Sequence, residues 1–172
     1  KNYSTINLGR VEMKKILIGD GGMGSELRFR GVEVPSHIES IWSALALTTN
    51  TKEIKEIHLD YIEAGAQYIT ANNYTVTRPI LERADMADQL EDLTMLSISI
   101  AREAIKESGK DIQLATSLPP LETSYRADLV LDRSMLEDQY AEMVEIIEDK
   151  TDIIICETMA HSQEAEIALE SI

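Results

Sequence analysis

The sequence is poor in cysteine and in basic side chains, and it contains no long apolar run. With Cys156 as its single cysteine, the chain forms no internal disulfide and no cysteine-rich metal site by itself, which indicates a reducing, cytoplasmic setting. No run approaches the roughly 20 apolar residues of a membrane span. The net charge of -15 opposes binding to polyanions. The composition therefore predicts a cytoplasmic protein that handles small molecules, without nucleic-acid or membrane partners.

The length of 172 residues allows one domain with a substantial core. It is short for a barrel of alternating strands and helices, which takes roughly 250 residues. Residues 1–12 have no apolar pattern and precede a methionine, so we expect a flanking or tag-like segment there. Residues 13–172 are predicted to form the folded domain.

Short apolar runs alternate with segments of helical periodicity along the whole chain. The runs, each predicted as a buried strand of a parallel sheet, cover residues 15–18, 66–71, 112–116 and 152–156. The helical segments cover residues 51–64, about 86–108 and 134–149, and a last one begins near residue 162 and is still in progress at residue 172. This order is typical of parallel strands with helical crossovers, in an open doubly wound sheet or in a barrel.

Individual residues mark the ends of these predicted helices. Gly65 and Gly109 follow the first two segments and are expected to end them. Ser134, with Glu137 three residues later, has the capping-box arrangement and is the predicted N-cap of the third.

The stretch ILIGDGGMGSEL, residues 16–27, has the G-x-G-x-x-G spacing of a dinucleotide-binding loop. Such a loop opens a helix directly and is followed about 20 residues later by an acidic strand end, whereas here Pro35 and Trp42 fall in a region that indicates loop and short helix. Asp20, among the glycines, would repel a pyrophosphate but suits an ammonium group. The glycines of this loop let backbone N–H groups approach a small ligand closely, and these groups could receive a carboxylate. The stretch thus predicts an amino-acid site, and a tight turn with an exposed aspartate is the alternative.

Polar residues follow each predicted strand at the point where its apolar run stops. They are Asp20 after the first run, Asn72 to Tyr74 after the second, Ser117 after the third, and Glu157 with Thr158 after the fourth. Because the carboxyl ends of parallel strands meet at one edge of a sheet, we expect these side chains to surround one site.

Five segments, in this order and spacing, resemble the homocysteine S-methyltransferase family: DGGMGSELRFRG, IWSAL, EIHLDYIEAGAQYITANNY, SLPP with SYR, and ICETMAHSQEA. The resemblance implies an α/β fold of the parallel (β/α)8 TIM-barrel type, with about the first four β/α units present in this chain. It also implies methyl transfer from a sulfonium donor, S-methylmethionine or S-adenosylmethionine, to the thiol of homocysteine, giving methionine. The thiol would be bound to zinc as a thiolate.

The resemblance also assigns roles to residues of this chain. Asp20 and Glu157 would hold the substrate ammonium, and the backbone of Gly21 and Gly22 would meet its carboxylate. Trp42, Asn73 and Tyr74 would line the mouth near the methyl donor. Arg126 would either meet the carboxylate of the donor or pair with Asp128.

The family's three zinc-binding cysteines would lie downstream of Ile172, so the chain itself is expected to hold no metal ligand and no catalytic residue. Cys156 adjoins Glu157 on a strand and should face the helices if Glu157 faces the barrel interior. His58 lies on an apolar helix face and is expected to pack there rather than bind metal.

We therefore expect an inactive amino-terminal half-barrel, whose open edges favour truncation of a longer protein or pairing into a homo-oligomer. Two alternatives remain. One is a metal-free amino-acid-binding or assembly module, which zinc analysis would distinguish. The other is an unrelated barrel or Rossmann-like enzyme, which cofactor binding would reveal.

Overall fold

The computed structural model describes residues 16–35 and 41–172; the predicted flanking segment and Lys15 lie outside these residues. Three parallel strands form a sheet, and helices pack against one of its faces. The strands are β1 (Tyr68–Thr70), β2 (Gln113–Leu118) and β3 (Ile153–Cys156). The helices are α1 (Met23–Phe29), α2 (Ala46–Thr49), α3 (Thr51–Ala64), α4 (Arg78–Arg83), α5 (Leu90–Ser108), α6 (Arg133–Ile147) and α7 (Ser162–Glu170).

The sheet has the order β1-β2-β3, and both neighbouring pairs are parallel. Thr70 lies opposite Ala115, and Ala115 lies opposite Ile153. Helices α4 and α5 connect β1 to β2, and α6 connects β2 to β3. The prediction of parallel strands at the second, third and fourth apolar runs is therefore confirmed.

The prediction of a strand at residues 15–18 is wrong for the described residues of that run, because residues 16–22 have no regular secondary structure. The carbonyl of Ile18 accepts a bond from the Gln67 N–H at 2.7 Å, which places the segment beside the start of β1. The N–H of Ile18, however, donates at 3.1 Å to the Gln67 side chain, which takes the position of a second strand carbonyl. Ile16 and Ile18 are 85% and 60% exposed, because no described residue covers their outer side.

Both helix ends that a glycine marks in the sequence are confirmed. The helix α3 has the predicted bounds, and Gly65 ends it at a φ of 109°. Gly109 ends α5 at a φ of 63°. Both angles lie in the left-handed region that glycine adopts without a steric penalty.

The later helices differ from the prediction in several places: α5 begins at Leu90 instead of near residue 86, and α6 ends at Ile147 instead of residue 149. The N-cap of α6 is Asp132, whose Oδ1 accepts from the N–H of Met135 at 3.2 Å. Ser134 lies inside the first turn and its hydroxyl donates to Asp132, because a carboxylate at this end interacts more favourably with the helix dipole than a hydroxyl does. The helix α7 begins at Ser162 as predicted but ends at Glu170 instead of continuing to the last residue.

The hydrophobic core has two parts. One lies between the sheet and the helices α3, α5, α6 and α7, and it includes Ile69, Leu114 and Leu118. The other lies among the helices α1 to α5, and it includes Leu27 and Ile54. Strand residues alternate between this helix-facing side and the opposite face of the sheet. Among the described residues, no helix is long and apolar enough to cross a membrane.

Candidate active site

A cavity of about 620 Å³ opens on the sheet face opposite the helices, at the carboxyl ends of the strands. Its floor includes Tyr68 and Thr70 of β1, Ser117 of β2 and Ile155 of β3. The loops after these strands and residues 20–24 form its walls. Parallel α/β folds bind ligands at this edge of the sheet, so the cavity is the candidate active site.

Asp20 is held by Thr70 at one wall of the cavity. The backbone N–H of Thr70 donates to Oδ2 at 2.7 Å, and its hydroxyl donates to Oδ1 at 3.0 Å. Burial raises the pKa of Asp20 above its ordinary value; the bonds from Thr70 act against this rise, and the charge of Glu157 adds to it. The carboxylate is therefore oriented but lacks full charge compensation.

Glu157 enters the same cavity from the loop after β3. The hydroxyl of Ser117, on β2, donates to its Oε1 at 2.5 Å. Within the described part of the chain, no lysine, arginine or histidine side chain lines the cavity. The two carboxylates thus face a shared space without a protein cation, which favours a positively charged ligand group.

The glycines of the first loop make room for aromatic rings. A Cβ atom built on Gly19 would lie 2.4 Å from the ring of Tyr68, and one on Gly24 would lie 2.6 Å from the ring of Trp42. A Cβ on Gly21 would lie 2.7 Å from the Tyr61 hydroxyl. The fingerprint spacing is explained by this packing, and it needs no nucleotide.

An aromatic pair lies at the mouth. Trp42 and Tyr74 pack edge to face, with ring centroids 5.9 Å apart, and both line the cavity. The Tyr74 hydroxyl bonds to the Ser124 hydroxyl. Tyr74 therefore joins the loops that follow β1 and β2.

Strained backbone is concentrated at this cavity. Trp42, Tyr125 and Thr158 have φ values of 45°, 64° and 59° and all line it. Non-glycine residues with such angles are uncommon and cluster at functional sites, so their position supports the assignment.

The segment that follows β1 anchors the surrounding loops through its polar side chains. Asn72 lines the cavity and donates to the Ser43 carbonyl at 2.8 Å. Thr75 and Thr77 donate to the carbonyls of Ile41 and Leu121 at 2.5 and 2.6 Å. These bonds connect the loop before α2 and the loop after β2 to one short stretch of chain.

The structure places the sequence-predicted site residues as follows. Asp20, Gly21, Gly22, Trp42, Tyr74 and Glu157 line the cavity together. Asn73 does not line it: its side chain is fully buried and bonds to the backbone of Ser117, whereas Asn72, two residues after Thr70, lines the cavity. Ser117, expected at the site because it follows the third apolar run, lines the cavity, whereas Thr70 was not predicted, although alternation along β1 would have placed it on the cavity face.

Arg126 pairs with Asp128, which is one of the two partners that the sequence analysis left open. Its Nε and Nη2 donate to the carboxylate of Asp128 at 2.8 and 2.7 Å, and both residues are exposed. Arg126 is not part of the cavity wall.

Candidate metal ligands were sought among the described side chains. The described residues contain no group of three histidine, cysteine, aspartate or glutamate side chains arranged to hold a metal ion. Cys156 packs against the core on the helix-facing side, as alternation predicted, and burial raises the pKa of its thiol. His58 is fully buried on α3, away from the cavity wall.

Comparison with known proteins identifies the family. The family model described as homocysteine S-methyltransferase matches residues 17–172. Homocysteine S-methyltransferase of Escherichia coli (strain K12) is 29% identical over 175 residues, covering 93% of this chain and 55% of that protein. Homocysteine S-methyltransferase 1 of Brassica oleracea var. italica is 26% identical, covering 88% and 52%.

Solved structures give the same result. The metallated form of the Escherichia coli homocysteine methyltransferase MmuM superposes with a TM-score of 0.81 at 28% identity, over 94% of this chain and 60% of that one. The chain thus spans little more than half the length of these relatives. With a family match over nearly all of its residues, the chain belongs to the homocysteine S-methyltransferase family.

Proposed function

We propose that the cavity binds homocysteine and serves methyl transfer to its thiol from a sulfonium donor, S-methylmethionine or S-adenosylmethionine. In this proposal the chain contributes about the first four β/α units of a (β/α)8 barrel. The observation that carries it is the pair of acidic side chains, Asp20 and Glu157, which line one cavity without a basic residue among the described lining.

The amino group of homocysteine provides the missing cation. An ammonium has three N–H donors, and each carboxylate retains acceptor positions besides those used by Thr70 and Ser117. Bonds between an ammonium and two carboxylates in a partly buried site are charge-assisted and strong. Asp20 and Glu157 therefore bind and orient the amino-acid end of the substrate.

The substrate carboxylate is assigned to the backbone at Gly21 and Gly22. Helix α1 begins directly after Gly22, and within the described residues no side chain caps its first N–H groups. A Cβ at Gly22 would meet only Ser25, with its Oγ at 3.4 Å, so this part of the wall is open to a ligand. The substrate carboxylate would thus contact the loop next to Asp20, while the substrate amino group would lie between Asp20 and Glu157.

The charge of the cavity also supports a cationic donor. A sulfonium is attracted by the two carboxylates and by the faces of aromatic rings such as Trp42 and Tyr74. In the transfer, the bond between the methyl carbon and the donor sulfur breaks as the bond to the homocysteine sulfur forms. The donor leaves as a neutral thioether, and the thiol proton is released to solvent. The protein aligns the two sulfur atoms with the methyl group between them.

The proposal includes zinc only because the sequence resemblance implies it. Its cysteine ligands would lie downstream of Ile172. When bound, it would keep the thiol deprotonated near neutral pH. No described residue is assigned to the metal. That the 172-residue chain alone has no zinc-dependent turnover stays a prediction.

The test is calorimetric titration of the full chain with homocysteine and with 4-mercaptobutanoate, which lacks only the amino group. We expect the wild type to prefer homocysteine, and Asp20→Asn or Glu157→Gln to lower that affinity by about 10- to 100-fold. The exposed Asp111→Asn removes the same charge away from the cavity and should leave both affinities unchanged. Equal binding of the two ligands by the wild type would refute the proposal.

A further inference from the structure

Asn73 continues the sheet beyond the end of β1 with its side chain. The last regular bond between the two strands runs from the Ala71 N–H to the Ala115 carbonyl, at 2.9 Å. In a continuing parallel ladder, the Ser117 N–H would next donate to the Ala71 carbonyl, and residue 73 would donate its N–H to the Ser117 carbonyl. The chain does neither, because it bends after β1.

The side-chain amide of Asn73 makes both missing bonds. Its backbone N–H turns back to the Ala71 carbonyl at 2.8 Å and thereby occupies the acceptor that Ser117 would have used. Its Oδ1 accepts from the Ser117 N–H at 3.1 Å, and its Nδ2 donates to the Ser117 carbonyl at 2.9 Å. A primary amide carries the same donor and acceptor as a peptide group, so Asn73 takes the place of a strand residue opposite Ser117.

Ser117 transmits this restraint to the site. Its side chain lies on the cavity face, and its hydroxyl donates to Glu157 Oε1 at 2.5 Å. A hydroxyl orients a carboxylate well only if its own backbone is fixed, and both backbone groups of Ser117 are fixed by one buried side chain.

We propose that Asn73 is a positioning residue for recognition of the substrate ammonium, acting through Ser117 on Glu157. This proposal rests on the proposed function. It gives Asn73 a role away from the donor, since its side chain is fully buried and does not line the cavity. The contribution of Glu157 to ammonium recognition then depends on Asn73 and Ser117, which belong to the two neighbouring strand segments.

The test measures the affinity of the full chain for homocysteine and for 4-mercaptobutanoate in four variants. These are Asn73→Ala, Ser117→Ala, Glu157→Gln and the double variant Asn73→Ala with Glu157→Gln. Thr151→Val is the matched control, because it removes side-chain bonds to the carbonyls of Leu114 and Ile153 in the same sheet but away from the cavity. Thermal unfolding of each variant is recorded alongside.

We expect Asn73→Ala and Ser117→Ala each to lower homocysteine affinity by about tenfold, and to change 4-mercaptobutanoate affinity by less than about twofold. In the Glu157→Gln background, Asn73→Ala should have almost no further effect, because residues acting as one unit are not additive. The control should bind both ligands as the wild type does. If Asn73 had a purely structural role, Asn73→Ala would lower the affinity for both ligands equally.

The positioning role would be overturned if the effects of Asn73→Ala and Glu157→Gln on homocysteine affinity were fully additive. It would also be overturned if Asn73→Ala lowered the affinity for both ligands equally. If Asn73→Ala does not fold, Ser117→Ala still decides, since it keeps both backbone bonds and removes only the hydroxyl; unchanged homocysteine affinity in that variant overturns the proposal. Failure of the proposed function gives a different result, in which the wild type itself does not distinguish the two ligands.

Discussion

The carboxylate of Asp20 receives two bonds from Thr70, one from its backbone N–H at 2.7 Å and one from its hydroxyl at 3.0 Å. These bonds orient an acidic side chain toward the cavity, but burial still raises its pKa and so disfavours its charged form. We therefore expect Asp20 to serve ligand binding rather than stability.

The variant Asp20→Asn should therefore weaken binding without weakening the fold. A raised pKa in the folded state means that the protonated carboxyl is favoured by folding, and this stabilisation is lost as pH rises through the folded pKa. An asparagine keeps an acceptor and a donor for Thr70 but carries no charge at any pH. We expect its Tm at neutral pH to equal or exceed that of the wild type. A clearly lower Tm would mean that the charge stabilises the free protein.

A second prediction concerns His58 and acid stability. Burial lowers the pKa of His58 to about 4 from 6.5, and within the described residues both ring nitrogens lack a hydrogen-bond partner. A lowered folded pKa means that stability is complete above pH 6.5 and is lost as pH falls from 6.5 toward 4, by about 3 kcal/mol in all.

Replacing His58 with methionine should remove this loss. Methionine has a similar size and no polar hydrogen to leave unpaired in the core. Urea unfolding at pH 7 and at pH 4.5 should show a smaller decrease in the free energy of unfolding for His58→Met than for the wild type. Equal decreases in the two proteins would contradict the assignment.

A third prediction tests the role of the glycines in the first loop. Gly24→Ala places a Cβ 2.6 Å from the ring of Trp42, so the ring must shift; we expect a cost of about 1–3 kcal/mol. Because Trp42 is the single tryptophan of the chain, its fluorescence reports the shift directly. Gly22→Ala meets only Ser25 and should leave the emission spectrum unchanged. Identical spectra for Gly24→Ala and the wild type would refute the packing role.

A fourth prediction concerns the start of α6. Asp132 caps this helix through the Met135 N–H, so Asp132→Ala should lower the free energy of unfolding by about 1 kcal/mol. Ser134→Ala removes only a hydroxyl that donates to Asp132 and should cost less than about 0.5 kcal/mol. If chemical denaturation showed the larger loss for Ser134→Ala, Ser134 would be the N-cap, as the sequence predicted.

The sequence was informative where its signals are local. Helix α3 could be predicted to the residue, since one apolar face and one terminal glycine define it. Asp20 and Glu157 could be predicted to share a cavity, because each directly follows a segment beside the parallel sheet, and strand ends converge.

Long-range contacts could not be predicted in the same way. The glycines are required by rings 18 to 49 residues away, such as Trp42 and Tyr68, and no local pattern shows that contact. Alternation from Thr70 places Asn72 on the cavity face, but no local pattern shows the bend after β1 that lets the Asn73 side chain bond to the backbone of Ser117. The apolar residues 16–18 predicted a buried strand, but burial depends on neighbours that an apolar run does not specify.

The most direct test of the account is a crystal structure of the full chain with homocysteine bound. We predict the ligand nitrogen within about 3.2 Å of one carboxylate oxygen of Asp20 and one of Glu157, the range of a charge-assisted hydrogen bond. A ligand whose nitrogen points to solvent, or contacts neither side chain, would contradict the central claim.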